Sequence, residues 1–178
     1  MLRAALAVLL LAVLAAGCGR AERPAFNDTD VMFAQMGLAQ IAEGERLAVI
    51  AGERAANPEL RAVADELRGQ WRTESKTLAG WLEDWERPRA ADPSAGAHAG
   101  HGALHSLREE DFTGLSALDG PDLDRGAVAL LLGNLHNAME TIRMEAAGGT
   151  YPEAVDLAKR MTESRQRQIQ RLLAMAAG

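Results

Sequence analysis

The chain has 178 residues, of which 48% are hydrophobic and 25% charged, and this composition excludes a disordered or collagen-like protein. A formal charge of −6 and a sequence pI of about 5.3 argue against a nucleic-acid-binding surface, so we expect no nucleic-acid partner. A single cysteine excludes an intrachain disulfide and a cysteine-rich metal site.

Residues 1–17 have the pattern of a targeting segment. One early positive charge, Arg3, precedes a run from Ala4 to Ala16 that consists almost wholly of Leu, Ala and Val. The run is too short to span a bilayer as a stable helix, and it has the proportions of the apolar part of a signal peptide. We therefore predict an exported protein that does not span the membrane.

The end of this segment, Leu14-Ala-Ala-Gly-Cys18, resembles the lipobox of bacterial lipoproteins. In that family the signal is cut before the cysteine, which is diacylated, and the new amino terminus is acylated as well. More than one acyl chain is needed because a single chain anchors a protein only marginally. The resemblance implies a lipid anchor at Cys18, a tether over 18–25 and a place on the extracytoplasmic or periplasmic face of the cell membrane. The alternative is an ordinary secreted protein with an incidental cysteine.

Two helices are expected in the first part of the mature chain, near 28–56 and 58–86. The second opens at Asn57-Pro58, a capping residue followed by proline at the first helical position. Its apolar residues recur at three- and four-residue steps and predict one buried stripe: Leu60, Val63, Ala64, Leu67, Trp71, Leu78, Trp81, Leu82 and Trp85. Trp81 and Trp85 form an aromatic ridge, which serves core packing or binds a partner.

A linker over 87–106 follows, because proline, glycine and small residues dominate it. Ser106 and Glu109 have the spacing of a capping box, which predicts a short helix near 107–118. The linker also contains His98, His101 and His105, a tract that can bind Cu(II), Ni(II) or Zn(II). An incidental solvated loop is the alternative interpretation of these histidines.

The last part of the chain predicts a second hairpin over 121–176. Gly120-Pro121 starts a long helix that runs to about 147, where Gly148-Gly149 end it. Thr150 and Glu153 have capping-box spacing and predict a fourth long helix to about 176.

A shift of 94 residues superimposes one hairpin on the other. Chemistry matches at helix starts and core positions, as in Asp30 with Asp124, Gln40 with Asn134, Pro58 with Pro152, Glu59 with Glu153, and Leu78 with Leu172. Each hairpin has an apolar face that the other can bury. We therefore predict an all-α fold, a ferritin-like four-helix bundle of two repeated hairpins joined by a long crossover linker over 26–178.

The two hairpins resemble the domain-of-unknown-function 305 family. The residues that carry the resemblance are the run from Asp28 to Met36, Asn57-Pro58-Glu59-Leu60, the segment from Gln70 to Leu82, and Leu123-Asp124-Arg125 with the hairpin after it. The resemblance implies a bacterial envelope or secreted protein with a four-helix fold. Many members carry a Met-Met-x-x-His-His run on the first helix of each half, and some are linked to copper handling.

This chain departs from that pattern at the ligand positions. The two His-His pairs are replaced by Gln40-Ile41 in the first half and by Asn134-Leu135 in the second. Glutamine and asparagine are poor ligands for copper, and isoleucine and leucine are none. We expect a bundle that has lost the family's metal site, with Gln40 and Asn134 hydrogen-bonded to each other in its interior.

Other candidate groups have ordinary interpretations. His136 lies one position beyond a lost pair and is a remnant of the site or an incidental helical histidine. Five methionines at helical spacing, which pack as core residues or form a thioether array, are Met32, Met139, Met144, Met161 and Met175.

No motif of the sequence predicts catalysis. The Glu-x-x-His pairs of a di-iron bundle are absent, as are a phosphate-binding glycine loop, a serine nucleophile elbow and a His-Glu-x-x-His run. We expect a non-catalytic, lipid-anchored binding or structural protein of the envelope without a cofactor, whose protein partner is left open. The alternative is an extracytoplasmic protein that binds copper or another transition metal through His98–His105.

Overall fold

The computed structural model describes residues 25–91 and 106–177, and these residues form helices joined by short turns. The long helices are α1 (Asp28–Arg54), α2 (Pro58–Asp84), α4 (Gly120–Gly148) and α5 (Pro152–Ala177), and the short helix is α3 (Glu109–Ser116). The predicted all-α, two-hairpin bundle is confirmed. No helix in the described ranges is long and apolar enough to cross a membrane.

Side-chain caps explain where the first two long helices begin. Asn27 accepts a hydrogen bond from the Asp30 backbone N–H, while Asp30 accepts one from the Asn27 backbone N–H, so α1 starts with a capping box. The Asn57 side chain accepts from the Glu59 N–H, and Pro58 occupies the first position of α2, as its sequence predicts.

Both predicted capping boxes are wrong. Helix α3 begins two residues after the predicted position, with Arg108 as its N-cap residue and Asp111 accepting from the Arg108 N–H, so Ser106 does not cap it. The Thr150 hydroxyl donates to Asp30 on α1 instead of capping α5. At α3 another local pair replaces the expected one, whereas Thr150 is engaged by a residue from a distant part of the chain.

Neighbouring helices are antiparallel, with α1 packed against α2 and α4, and α4 packed against α5. The start of α1 meets the end of α4, because the Asn27 amide donates to the Gly148 carbonyl. The Asp124 carboxylate at the start of α4 accepts from the backbone of Asn57 at the other end of α1. The interface between α1 and α4 therefore joins the two hairpins into one core.

The predicted repeat is visible in the hydrogen bonds at the two ends of the bundle. Asp30 accepts from the backbone N–H groups of Thr150 and Tyr151 in the turn between α4 and α5. Asp124 accepts from those of Ala56 and Asn57 in the turn between α1 and α2. Both the acceptors and the donors are related by 94 residues, so the two hairpins hold each other by the same device.

The short helix α3 covers one side of the bundle. Phe112 and Leu115 are buried under it, and the Arg46 guanidinium lies 3.6 Å from the centroid of the Phe112 ring while pairing with Glu109. Arg54 on α1 donates to the backbone carbonyls of Ser116 and Leu118, at the end of α3. These contacts fix the point at which the chain returns from the linker to the bundle.

Candidate functional site

The four positions that depart from the ligand pattern lie in the interior, at the interface of α1 and α4. Gln40 and Asn134 are 8% and 5% exposed, and Ile41 and Leu135 are buried core residues. Helix α1 places the first pair there and α4 the second, as expected for equivalent positions of a repeat. The predicted location in the bundle interior is therefore correct for Gln40 and Asn134.

The predicted hydrogen bond between these two side chains is replaced by two others. The Asn134 amide donates to the backbone carbonyl of Gln40 over 3.0 Å, and the Gln40 amide donates to the Thr141 hydroxyl over 3.1 Å. Thr141 lies two helical turns beyond Asn134 on α4. The 94-residue repeat pairs Gln40 with Asn134 and therefore did not predict Thr141 as a partner. The result is a hydrogen-bonded amide layer between α1 and α4 in which each amide N–H₂ group has a partner.

Close packing leaves little space around this layer. A Cβ atom at Gly44 would lie 2.6 Å from Asn134 Oδ1 and 2.5 Å from Cη2 of Trp71, so only glycine fits there. Helices α1, α2 and α4 thus approach each other through Gly44, with the Trp71 indole filling the space beside the amides. Across residues 25–91 and 106–177, no three His, Cys, Asp or Glu side chains are grouped so that they could hold a metal ion.

The remaining sequence candidates are separated from this layer. Cys18, His98, His101 and His105 lie outside the described residues. His136 is exposed, with Nδ1 2.9 Å from the Leu132 carbonyl, and it lines a surface pocket of about 350 Å³ together with Leu107 and Glu140. Met139 and Met161 are buried in the core, whereas Met144 is 40% exposed and lies outside it.

A buried polar network between α2 and α5 was not anticipated from the sequence. The Arg165 guanidinium pairs with Glu74 and donates to Gln70 and Gln168, and all but Gln70 are buried. Burial raises the pKa of Glu74 and lowers that of Arg165, in each case against the attraction of the partner. The sequence did indicate that position 165 is buried, because the 94-residue shift aligns Arg165 with the core residue Trp71.

This network forms part of a groove that separates α2 from α5. The groove has a volume of about 730 Å³, and small residues such as Gly69, Thr73 and Ser164 line it beside Gln70 and Glu74. Long side chains bridge the two helices where their backbones stand apart, which is why a polar network rather than an apolar seam joins them.

The aromatic residues divide between the core and one end of the bundle. Trp71 is buried, whereas Trp81 and Trp85 are half-buried and stacked with ring centroids 6.0 Å apart, which confirms the predicted ridge. Tyr151 meets both rings edge-on, and Phe26 stacks on Trp85 at 4.8 Å. The ridge therefore packs against the start of α1 and the turn before α5.

Comparison with solved structures identifies the same fold in three proteins. A DUF305 protein from Streptomyces coelicolor has a TM-score of 0.75 at 19% identity, with 84% of this chain and 91% of that chain covered. A DUF305 fragment from Deinococcus radiodurans has a TM-score of 0.73 at 21% identity, with 86% and 99% covered. CopM in its Cu(II)-bound form has a TM-score of 0.70 at 20% identity, with 83% and 95% covered.

No curated protein matches the sequence significantly. The family model described as "Domain of unknown function (DUF305)" matches residues 30–176, which include both hairpins and the segment between them. The match extends over far more than half of the chain, and the structural similarities agree with it in fold. This protein therefore belongs to the DUF305 family, as the resemblance of its two hairpins predicted.

Proposed function

We propose that this protein is a non-catalytic lipoprotein, anchored by acylated Cys18 on the extracytoplasmic side of a bacterial membrane, with a binding or structural role in the envelope. The lipobox-like sequence around the sole cysteine supports the anchor. Six residues lie between Cys18 and Ala25, the first residue described in the structure, so the tether would hold the bundle close to the bilayer.

The amide layer between α1 and α4 supports the proposal that the interior of the bundle does not bind a metal ion. At the positions where the family resemblance implies histidine ligands, the chain has two hydrogen-bonded amides and two apolar side chains. Soft metal ions bind imidazole and thioether groups in preference to carboxamides, which here are already engaged with Thr141 and the Gln40 carbonyl. The interior of the bundle thus supports a scaffold, with its binding surface elsewhere.

Fractionation of cells that express the full chain tests the anchor. Cys18→Ser removes the acylated sulfur, so we expect the protein to leave the membrane fraction and its labelling by radioactive palmitate to disappear. A carbonate wash is the control, because it strips proteins that adhere to membranes without a lipid. Membrane retention of Cys18→Ser after that wash would contradict the lipoprotein proposal.

A second candidate function is transition-metal binding through His98, His101 and His105. CopM, which shares the fold, is known in a Cu(II)-bound form, and this similarity of fold supports the candidate. The pocket lined by Leu107, His136 and Glu140 supports it as well, because Leu107 follows His105 by two residues. Imidazole and carboxylate groups spaced four residues apart on a helix can provide two ligands to such an ion.

Calorimetric titration of residues 26–178 with Cu(I), Cu(II) and Zn(II) distinguishes the two candidates. The scaffold proposal predicts only weak, non-stoichiometric heat. Stoichiometric binding that disappears when His98, His101 and His105 become Ala would establish the metal function instead. His136→Ala is the matched control, since a loss of affinity in that variant would assign the pocket beside Leu107 to the same site.

A further inference from the structure

Two carboxyl side chains are buried side by side at the end of the bundle where α1 begins and α4 ends. Asp30 and Glu145 each have a relative exposure of 0%. They are 115 residues apart in sequence, and the functional candidates discussed above include neither. Two adjacent buried carboxyl groups cannot both ionise without a large electrostatic cost, so their protonation must be coupled.

Asp30 is the ionised member of the pair because its oxygens are surrounded by donors. The backbone N–H groups of Asn27, Thr150 and Tyr151 donate to it over 2.7 to 3.2 Å, and the Thr150 hydroxyl adds another hydrogen bond over 3.1 Å. Burial raises the pKa of Asp30, but these donors outweigh the effect of burial and hold that pKa below its ordinary value.

Glu145 has the opposite environment. Apart from the Asp30 carboxyl group, no partner among the described residues is within hydrogen-bond reach of its carboxyl oxygens. Burial, followed by hydrogen bonding to Asp30 and its negative charge, raises the pKa of Glu145 to about 8. A protonated Glu145 can donate its O–H to the Asp30 carboxylate, and this bond would satisfy the pair without a cation.

Gly149 shows how closely the two groups converge. A Cβ atom at Gly149 would lie 2.2 Å from Glu145 Oε1 and 2.9 Å from Asp30 Oδ1. The carboxyl groups thus pack against the same backbone atom, in the turn whose N–H groups bind Asp30. Any side chain at position 149 would therefore collide with the carboxyl pair.

We propose that a proton shared by Glu145 and Asp30 acts as a latch, which holds the start of α1 on the turn between α4 and α5 and releases it when the proton is lost. The step is a simple acid dissociation, in which the Glu145 carboxylic acid gives its proton to water or hydroxide. Two buried carboxylates then face each other, and separation of α1 from the turn lets solvent reach both.

The latch holds the segment through which the chain enters the domain. The Asn27 side chain donates to the Gly148 carbonyl, and the Thr150 hydroxyl lies 3.4 Å from the Ala25 carbonyl. Phe26 stacks on Trp85 in the same region, and Tyr151 contacts that ring edge-on. Release of the latch should therefore loosen the aromatic ridge together with residues 25–30. This inference does not depend on acylation of Cys18.

Among the groups that surround the pair, Asp30 is the charged group that acts on Glu145. From α1 the facing titratable group is Asp30, and from the turn before α5 it is Tyr151, whose N–H bonds to Asp30. Beyond Tyr151, α2 contributes the uncharged rings of Trp81 and Trp85. Within the described ranges, neither carboxyl group forms a salt bridge with Arg, Lys or His.

Hydrogen exchange of the full mature protein tests the latch, with wild type and Glu145→Gln compared at the same pH. At about pH 6 the two proteins should exchange equally in peptides covering 25–30 and 148–152, since the wild-type proton is still bound. At about pH 9 we expect wild type to exchange on the order of tenfold faster there, because each pH unit above the transition changes proton occupancy tenfold. Equal exchange at both pH values would overturn the proposal.

Two further measurements make the test specific. Asp124→Asn alters the equivalent acceptor at the opposite end and should leave the pH-dependent difference in 25–30 and 148–152 unchanged. In ¹³C spectra of wild type labelled at glutamate, one carboxyl resonance that is missing from Glu145→Gln should titrate near pH 8. A Glu145 resonance that titrates near the ordinary glutamate pKa would refute the shared proton even if the exchange data differed.

Discussion

The two ends of the bundle are built from equivalent residues and differ in one buried acid. The Asp30 end comprises Asp30, Glu145 and the turn 149–151, and the Asp124 end comprises Asp124, Ala51 and the turn 55–57. Each aspartate accepts from two successive backbone N–H groups of the facing turn. The shift that relates the aspartates also relates Glu145 to Ala51, so a methyl group replaces the second carboxyl group at the Asp124 end.

The donors also differ between the ends. Asp30 receives extra hydrogen bonds from the Asn27 N–H and the Thr150 hydroxyl. The equivalent positions are Pro121, which has no N–H, and Ala56, which has no hydroxyl. The comparison shows that a repeated backbone contact can become pH-sensitive at one end through a few substitutions, while the other end keeps only its structural role.

The largest expected effect is on the pH dependence of stability. Glu145 has a folded-state pKa of about 8 against about 4.5 when unfolded, so folding binds a proton between these values and stability falls as pH rises through that window. Each pKa unit corresponds to about 1.4 kcal/mol, so the full effect is roughly 5 kcal/mol, of which about 3.5 kcal/mol is lost between pH 5 and pH 8. Urea unfolding from pH 5 to 8 should show Glu145→Gln gaining stability relative to wild type by about this amount at the upper limit.

Other carboxyl groups also contribute to the pH dependence of stability in that experiment. Burial also raises the pKa of Glu43 and Glu74, and their contributions have the same sign, so wild type and Glu145→Gln must be compared by difference. The lowered pKa of Asp30 acts in the opposite sense, with stability lost as pH falls below its ordinary range. A constant difference between the two proteins across pH 5 to 8 would contradict the raised pKa of Glu145.

The next largest effect separates the two aspartates. Asp30→Ala removes a fully buried carboxylate that accepts from the backbone N–H groups of Thr150 and Tyr151, and it should cost about 3 kcal/mol of unfolding free energy at neutral pH. Asp124→Ala removes two hydrogen bonds at a half-buried site, and about 1 to 2 kcal/mol is expected. Chemical denaturation of the two variants measures both values, and equal losses would show that the ends are energetically equivalent.

A smaller effect is expected from the turn residues Gly149 and Ala55, which the repeat places at equivalent positions. Gly149→Ala introduces a Cβ atom that collides with the Glu145 carboxyl group, so we expect a loss of about 2 kcal/mol even though φ is −67°. Ala55 already has its methyl group buried, and Ala55→Gly should cost about 1 kcal/mol or less. Thermal unfolding compares them, and Gly149→Ala in a Glu145→Ala background should recover most of its loss.

Local features of the sequence predicted the elements well where the contacts are local. Asn57 and Pro58 begin α2 as expected, and Trp81 and Trp85 stack because a step of four residues is slightly more than one helical turn and returns to nearly the same face. The predicted capping boxes at Ser106 and Thr150 are wrong, and at α3 the nearby pair Arg108 and Asp111 makes the contact instead. Thr150 meets a stronger acceptor, the buried Asp30 carboxylate, which is brought to it from 120 residues away.

The candidate site was predictable in location and less so in detail. The repeat placed Gln40 and Asn134 in the interior, and both are there. Their partners depend on the relative rotation and axial shift of α1 and α4, which decide that Asn134 reaches the Gln40 carbonyl and Gln40 reaches Thr141. The periodicity of a helix specifies which face is buried, but not the atom that a buried amide meets.

The sequence by itself determined the helical class, the two-hairpin repeat and the starts of α1 and α2, because these depend on residues a few positions apart or on a fixed shift. Tertiary structure alone decided that Arg165 pairs with Glu74 and that Glu145 meets Asp30. Burial and proximity of charges set the pKa of a carboxyl group, and both arise only when helices distant in sequence pack together.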